Sequence, residues 1–228
     1  MDFEALWLTL RLAVGTTAIL LVVALPLAWW VASGHGAGRA LVQAVVALPL
    51  VLPPTVIGFY LLVALGPMTA PGRLLMRVLG HPLAFSFGGL LVGSILYSLP
   101  FAVQPLVAGF QAVDRGFIEA AAGLGAPPAK VFVSVVLPMA RASLLTSAIL
   151  AFTHTVGEFG VVLMLGGNIP GATRTLSISL YDLVQEGNYA AANRTALVLV
   201  AFAIVALMVI YLLPSVRKTD GRQADIVR

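Results

Sequence analysis

Residues 119–138 read EAAAGLGAPPAKVFVSVVLP. The opening Glu119, Ala120, Ala121 and Ala122 favour helix, Gly125 is placed to end it, and Pro127 with Pro128 blocks its continuation. The stretch therefore predicts a short helix, a turn and a second helical run. Long apolar runs flank it, over residues 83–110 and 142–165. A polar helix-turn-helix between two such runs lies on one face of a membrane, and in that position it presents a surface to a partner.

Working outward, the whole chain fits this setting. Of its 228 residues 60% are hydrophobic and 10% charged, and the mean hydropathy is +1.03. No globule of that length covers so much apolar surface, which excludes a soluble domain. Crossing a hydrocarbon core of about 30 Å takes roughly 20 residues. Five runs qualify, at about 12–31, 41–65, 83–110, 142–165 and 196–213. The expected fold is all-α and integral to the membrane, with five transmembrane helices in a single domain over residues 1–228, an inner connecting loop at 111–138 and a flexible polar tail at 215–228. Asp2 and Glu4 give the first run an acidic lead, unlike a signal peptide, so the first helix is expected to be retained. The absence of cysteine removes disulfides and thiolate chemistry, and the three histidines lie too far apart for a metal-ligand pattern.

Placing the N-terminus outside puts Arg39, Arg115, Lys130, Arg141, Arg217, Lys218, Arg222 and Arg228 inside, and Arg11, Arg73, Arg77, Arg174 and Arg194 outside. Eight against five favours N-out, C-in. The net charge of +4 is then matched by anionic inner-leaflet lipid and needs no nucleic acid. The glycines between Ser33 and Arg39 follow no strand, and no Walker GxxxxGK[ST] occurs, so this chain does not hold ATP through a P-loop. In the longest outer connection, Leu176, Ile178, Leu180, Tyr181, Leu183 and Val184 predict a short interfacial helix.

Two spans carry residues suited to a transport path. The second contains Pro49, Pro53 and Pro54, and prolines so grouped kink or break a helix near mid-membrane. A half-helix restarting at Thr55 would aim free amides and a partial positive charge at a cavity, which suits an anion, while a packing kink explains the same prolines. The fourth span holds Thr153, His154, Thr155, Gly157 and Glu158, and polar residues at that depth point to function. His154 and Glu158 are four apart, so a continuous helix would put them on one face. Glu158 would repel an anion; it is expected to be buried and protonated, or paired with His154 or Arg174. The hydroxyls of Thr153 and Thr155 and the ring of His154 are the better candidates for contacting an oxyanion. Gly89 and Gly93 form a GxxxG spacing read as packing.

The 119–138 stretch resembles the EAA loop of permease subunits in ATP-binding-cassette importers, with Glu119, Ala120, Ala121, Gly125, Leu137 and Pro138 in register and Val135 where isoleucine is usual. GEFG at 157–160, followed by Asn168, Ile169, Pro170, Gly171, Thr173, Arg174 and Thr175, is similar to the signature of permeases in molybdate importers, as is ALPLVLPPTVIGFYLL at 47–62. The similarity covers nearly all the chain. That family often has an arginine shortly before GEFG; Thr153 and His154 stand there in this chain, so no role of that arginine carries over.

The resemblance implies an inner-membrane homodimer working with two separate ATPase subunits, which bind the ATP and Mg, and with a periplasmic oxyanion-binding protein. No cofactor is expected on this chain. It assigns ATPase coupling to Glu119, Ala120, Ala121, Gly125, Lys130 and Pro138. Pro53, Pro54, Thr55, Thr153, His154, Glu158, Asn168 and Arg174 are the path or gate candidates. Sulfate, thiosulfate and tungstate remain alternative cargoes within the class. An intramembrane enzyme using His154 and Glu158 is an alternative outside it.

Overall fold

Asp2 starts the first helix by accepting a hydrogen bond from the Ala5 N–H at 2.9 Å. This helix, α1 (Phe3–Ala32), has 30 residues and is about 45 Å long at 1.5 Å per residue, so it begins well before the apolar run at Leu12. Its buried positions, among them Leu8, Leu12, Thr16, Leu20, Ala24, Ala28 and Val31, recur every three or four residues and form one face. The computed structural model describes residues 2–212. The predicted tail at 215–228, Leu213 and the basic residues Arg217, Lys218, Arg222 and Arg228 lie outside the described residues.

The described helices are α2 (Ala37–Val51), α3 (Pro54–Leu65), α4 (Ala70–Leu79), α5 (Phe87–Gln111), α6 (Arg115–Gly123), α7 (Pro128–Met139), α8 (Arg141–Gly157), α9 (Gly160–Gly166), α10 (Leu176–Gln185) and α11 (Tyr189–Leu212). Three of them, α1, α5 and α11, are long and apolar enough to cross a membrane unbroken. Two bent pairs raise the number to five: α2 with α3, at 111°, and α7 with α8, at 76°.

α1, α5 and α8 pack together as the centre of the molecule. Leu20, Ala24, Ala28, Ala102, Leu106, Val136 and Ala151 fill its interior, and the rings of Trp29, Phe110 and Phe132 close one end with centroids 5.4 to 5.9 Å apart. Leu8, Leu12, Leu90, Val162 and Ile178 pack the other end. α11 is peripheral: of its 24 residues only Ala192, Thr195 and Ile210 are buried.

The sequence expectations are corrected at two places, the fourth run and the 176–185 helix, and extended at one, the second connection. The fourth run is not one helix over 142–165: α8 stops at Gly157, Glu158 and Phe159 form a break, and α9 follows. The second connection contains α4, capped by the Thr69 hydroxyl and closed by Gly80 in the left-handed conformation. The helix at 176–185 forms as expected, but its first turn, Leu176 to Ser179, is buried inside the protein, where Thr9 Oγ1 accepts the Leu176 N–H at 2.8 Å.

The break in the second run falls where the prolines predict, at Leu52 and Pro53, while Pro49 stays within α2. Pro100 and Pro105 likewise sit inside α5 without ending it. Pro138 has a different effect. It cannot donate to the preceding turn and crowds its carbonyls, and the five residues Phe132–Val136 before it are wound as a π-helix.

Candidate functional site

α3 starts immediately after the break, and its first turn leaves a single backbone donor free. Pro53 and Pro54 have no N–H, and the Val56 and Ile57 amides both donate to the Pro53 carbonyl, at 3.0 and 3.4 Å. Thr55, whose side chain is exposed, therefore contributes the one unbonded amide, where the sequence led us to expect several. That helix start opens on a cavity of about 480 Å³ lined by Pro54, Thr55, Tyr97, Thr153, His154 and Glu158, with Phe159, Leu163 and Met164 completing the wall. The second and fourth runs, a hundred residues apart, thus bring their candidate residues to one place.

The cavity depends on close approach of α3 and α9. A Cβ on Gly160 would lie 2.8 Å from Pro54 Cβ, and one on Gly58 would lie 2.7 Å from Met164 Cβ. Neither position accommodates a larger side chain without separating the helices.

His154 projects from the last turn of α8 into an aromatic slot. Phe101 stacks on its ring at 3.9 Å and Tyr97 lies 4.9 Å away. Ser98 Oγ lies 2.9 Å from Nδ1 and also 3.1 Å from Thr155 Oγ1, which in turn donates to the Ala151 carbonyl at 2.9 Å. Tyr97, Ser98 and Phe101 were not picked out from the sequence. Their signal was the pair Ser94 and Ser98, one helical turn apart in an apolar helix.

Glu158 pairs with neither residue expected of it. The helix ends at Gly157 and the chain turns away after Glu158 (φ −66°, ψ 135°); Glu158 and His154 line the same cavity, but among the described residues no hydrogen bond or ion pair joins them. Glu158 is 4% exposed, and neither carboxylate oxygen has a hydrogen-bond partner. The Ser94 hydroxyl beside it is also unpartnered. The break itself is held by Ser177, whose hydroxyl donates to the Glu158 carbonyl.

Asn168 and Arg174 are not brought to this cavity. The Arg174 Nε–H donates to Asn168 Oδ1 at 2.6 Å, Asn168 Nδ2 donates to Asp182 Oδ2 at 2.6 Å, and Arg174 Nη2 lies 3.7 Å from the same carboxylate. The three clasp the 166–175 loop to α10.

The coupling candidates form a separate surface. Asp114 caps α6 by accepting the Gly116 N–H at 2.8 Å, and no residue of α6 is buried. The helix ends in a Schellman turn: the Gly125 N–H donates to the Ala122 carbonyl at 2.9 Å and the Ala126 N–H to the Ala121 carbonyl at 3.1 Å, with Gly125 at φ +81°. Phe117 and Leu124 are 57% and 90% exposed, an apolar pair on a polar helix-turn. Glu119, Ala120 and Lys130 are exposed beside them, Ala121 is half-buried, and Pro138 lies further along in the last turn of α7. Ser33, His35, Arg115 and Glu119 line one cavity, so the first connection and α6 share a face; Asp2, Arg174 and Asp182 line another, with the N-terminus and the fourth connection.

Residues 24–218 match the family of binding-protein-dependent transport system inner membrane components. The chain belongs to that family. The permease is 50% identical over 210 residues to the molybdenum transport system permease protein ModB of Azotobacter vinelandii, covering 92% of this chain and 93% of that one. It is 32% identical over 208 residues to the protein of the same name from Escherichia coli K12, covering 89% and 91%. Among solved structures, the permease fold is similar to an inward-facing MetNI methionine ABC transporter, with a TM-score of 0.69 at 19% identity over 92% of this chain and 93% of that one. It also resembles a bacterial alginate ABC transporter in complex with an alginate-bound periplasmic protein, with a TM-score of 0.70 at 18% identity over 91% and 75%.

Proposed function

We propose that the permease carries molybdate through the cavity at the start of α3, driven by a separate ATPase. The observation that carries this reading is the half-identity to the Azotobacter relative over almost the whole of both chains. The cavity chemistry supports it. The free Thr55 amide at the positive end of α3 is a neutral donor, able to replace part of an oxyanion's hydration without holding it by fixed charge, while Thr153 lines the wall with its hydroxyl sealed. The alternative of a His154–Glu158 enzyme lacks its pair, because neither carboxylate oxygen of Glu158 has a hydrogen-bond partner among the described residues and His154 Nδ1 is engaged by Ser98.

Partners follow from the same reading. A second copy of the chain completes the path, two ATPase subunits holding ATP and Mg dock on α6 and its turn, and a periplasmic oxyanion-binding protein delivers cargo to the opposite face, with the N-terminus outside. The fully unburied α6, with Phe117 and Leu124 exposed on it, supports that docking surface. Nucleotide-driven approach of the two docking helices would then rock the bundles between inward-open and outward-open states.

The test is uptake of labelled molybdate into proteoliposomes holding the permease, its ATPase and binding protein, with unlabelled tungstate, sulfate and thiosulfate as competitors. ATP-dependent uptake that sulfate and thiosulfate leave unaffected is the expected result. Uptake of labelled sulfate with none of molybdate would overturn the cargo assignment.

A further inference from the structure

The hydrogen bonds around His154 have only one arrangement of protons that satisfies all of them. Thr155 has one hydroxyl hydrogen, and its bond to the Ala151 carbonyl at 2.9 Å uses it, because a carbonyl can only accept. Thr155 Oγ1 must then accept in its 3.1 Å contact with Ser98, which uses the single hydrogen of Ser98. Ser98 Oγ has nothing left to donate, so across 2.9 Å it accepts from His154 Nδ1–H. Reversing the chain would leave the Thr155 hydroxyl donating to Ser98 and forfeit the bond to Ala151. Water does not compete for the three oxygens, since Ser98, Thr155 and Ala151 are 0%, 2% and 0% exposed, while His154 is half-buried. Phe101 stacked on the ring and Tyr97 beside it hold the imidazole plane in place.

We propose that Ser98 and Thr155 are positioning residues that fix His154 as its Nδ1–H tautomer, so that a neutral His154 shows the cavity an Nε2 lone pair. Nε2 makes no hydrogen bond to protein, is not among the sealed unpartnered atoms, and belongs to a residue lining the cavity. The consequence, resting on the cargo-path reading above, is a division of labour. Thr55 offers a donor to an oxyanion, while neutral His154 offers an acceptor. It accepts from water, or from an oxyanion that carries a proton, and sets itself against a bare dianion. Among the described residues, the other titratable side chains lining the cavity are Glu158, on the break after α8, and Tyr97, on α5. The site therefore contains an element that favours release of the dianion.

The discriminating variant is Thr155→Val, which keeps the shape but removes the acceptor for Ser98. The Ser98 hydrogen is then free to turn to Nδ1, and the ring proton should move to Nε2. The measurement is solid-state 15N NMR of the assembled importer in lipid with the permease labelled at its three histidines, the His154 signals being those lost in His154→Asn. Wild type should show a protonated Nδ1 and a bare Nε2, Thr155→Val the reverse, and Thr155→Ser the wild-type pattern. A proton on Nε2 in wild type, alone or with one on Nδ1, would overturn the assignment, as would Thr155→Val retaining Nδ1–H. These spectra are recorded without cargo, so their outcome is separate from that of the path reading, which fails instead if molybdate uptake is unaffected by His154→Asn.

Discussion

A single methyl group decides how closely α3 and α9 can lie. Gly160→Ala places a Cβ 2.8 Å from Pro54 Cβ, inside normal contact, and both partners belong to helix starts that cannot swing aside as a flexible side chain would. Overpacking of this kind costs about 1–3 kcal/mol. Gly160→Ala should therefore lower the thermal midpoint of the purified importer and slow molybdate uptake, because the same shift deforms the wall that carries Thr55. An unchanged midpoint in a thermal melt would show that the contact relaxes freely. Gly125 is constrained differently: a Cβ there meets nothing, but φ +81° is a conformation that β-branched residues resist. Gly125→Val should assemble and yet lose cargo-stimulated ATP hydrolysis, whereas Gly125→Asn, which tolerates left-handed backbone, should keep most of it. Equal stimulation in the Val variant would remove the docking role from this turn.

At the scale of elements, the break between α2 and α3 carries the clearest test. Replacing Pro53 and Pro54 together by alanine restores two N–H donors and lets the helix run on through residue 55. This would withdraw the Thr55 amide into an intrahelical bond and straighten the 111° bend. Uptake should fall severely while the complex still assembles. Uptake at the wild-type rate would reduce the prolines to a packing kink. This break was legible in the sequence because its cause is local: two consecutive residues without N–H groups. The Schellman turn was legible for the same reason, through a glycine followed by two prolines. The break at Glu158 and Phe159 was not, since neither residue forbids helix. It is held from outside, by the Ser177 hydroxyl on the Glu158 carbonyl and by the packing of α9 against α3 and α5. The Ser98 to His154 contact spans 56 positions and exists only because α5 packs on α8, which no local pattern encodes. Of the candidates read from the sequence, Pro54, Thr55, Thr153, His154 and Glu158 come together at one cavity, Asn168 and Arg174 do not, and the wall contributed by Tyr97 on α5 was missed.

For the molecule as a whole, the described helices give up to five crossings when each bent pair counts as one, and the lining of two cavities sorts the connections onto two faces, but the direction of insertion is a matter of charge. With the basic residues favouring N-out, a cysteine placed at the exposed Ala172 should react with an impermeant maleimide on intact cells, and one at the exposed Ala122 only after permeabilisation. The reverse pattern would invert the topology. Between these faces, α3 and α9 are each joined to their neighbouring helix through a break, at Leu52–Pro53 and at Glu158–Phe159, and among the described residues no backbone hydrogen bond runs across either one from helix to helix. The two half-helices form a single paddle pinned at two points, and swinging it breaks no rung of any helical ladder. The stiffness of that swing lies in its side contacts with α5, in the Ser177 latch and in the bonds that tie the far end of α9, from the Phe85 N–H to the Leu165 carbonyl and from the Thr173 hydroxyl to the Gly166 carbonyl, so the work of opening the cavity is set by these lateral contacts rather than by unwinding.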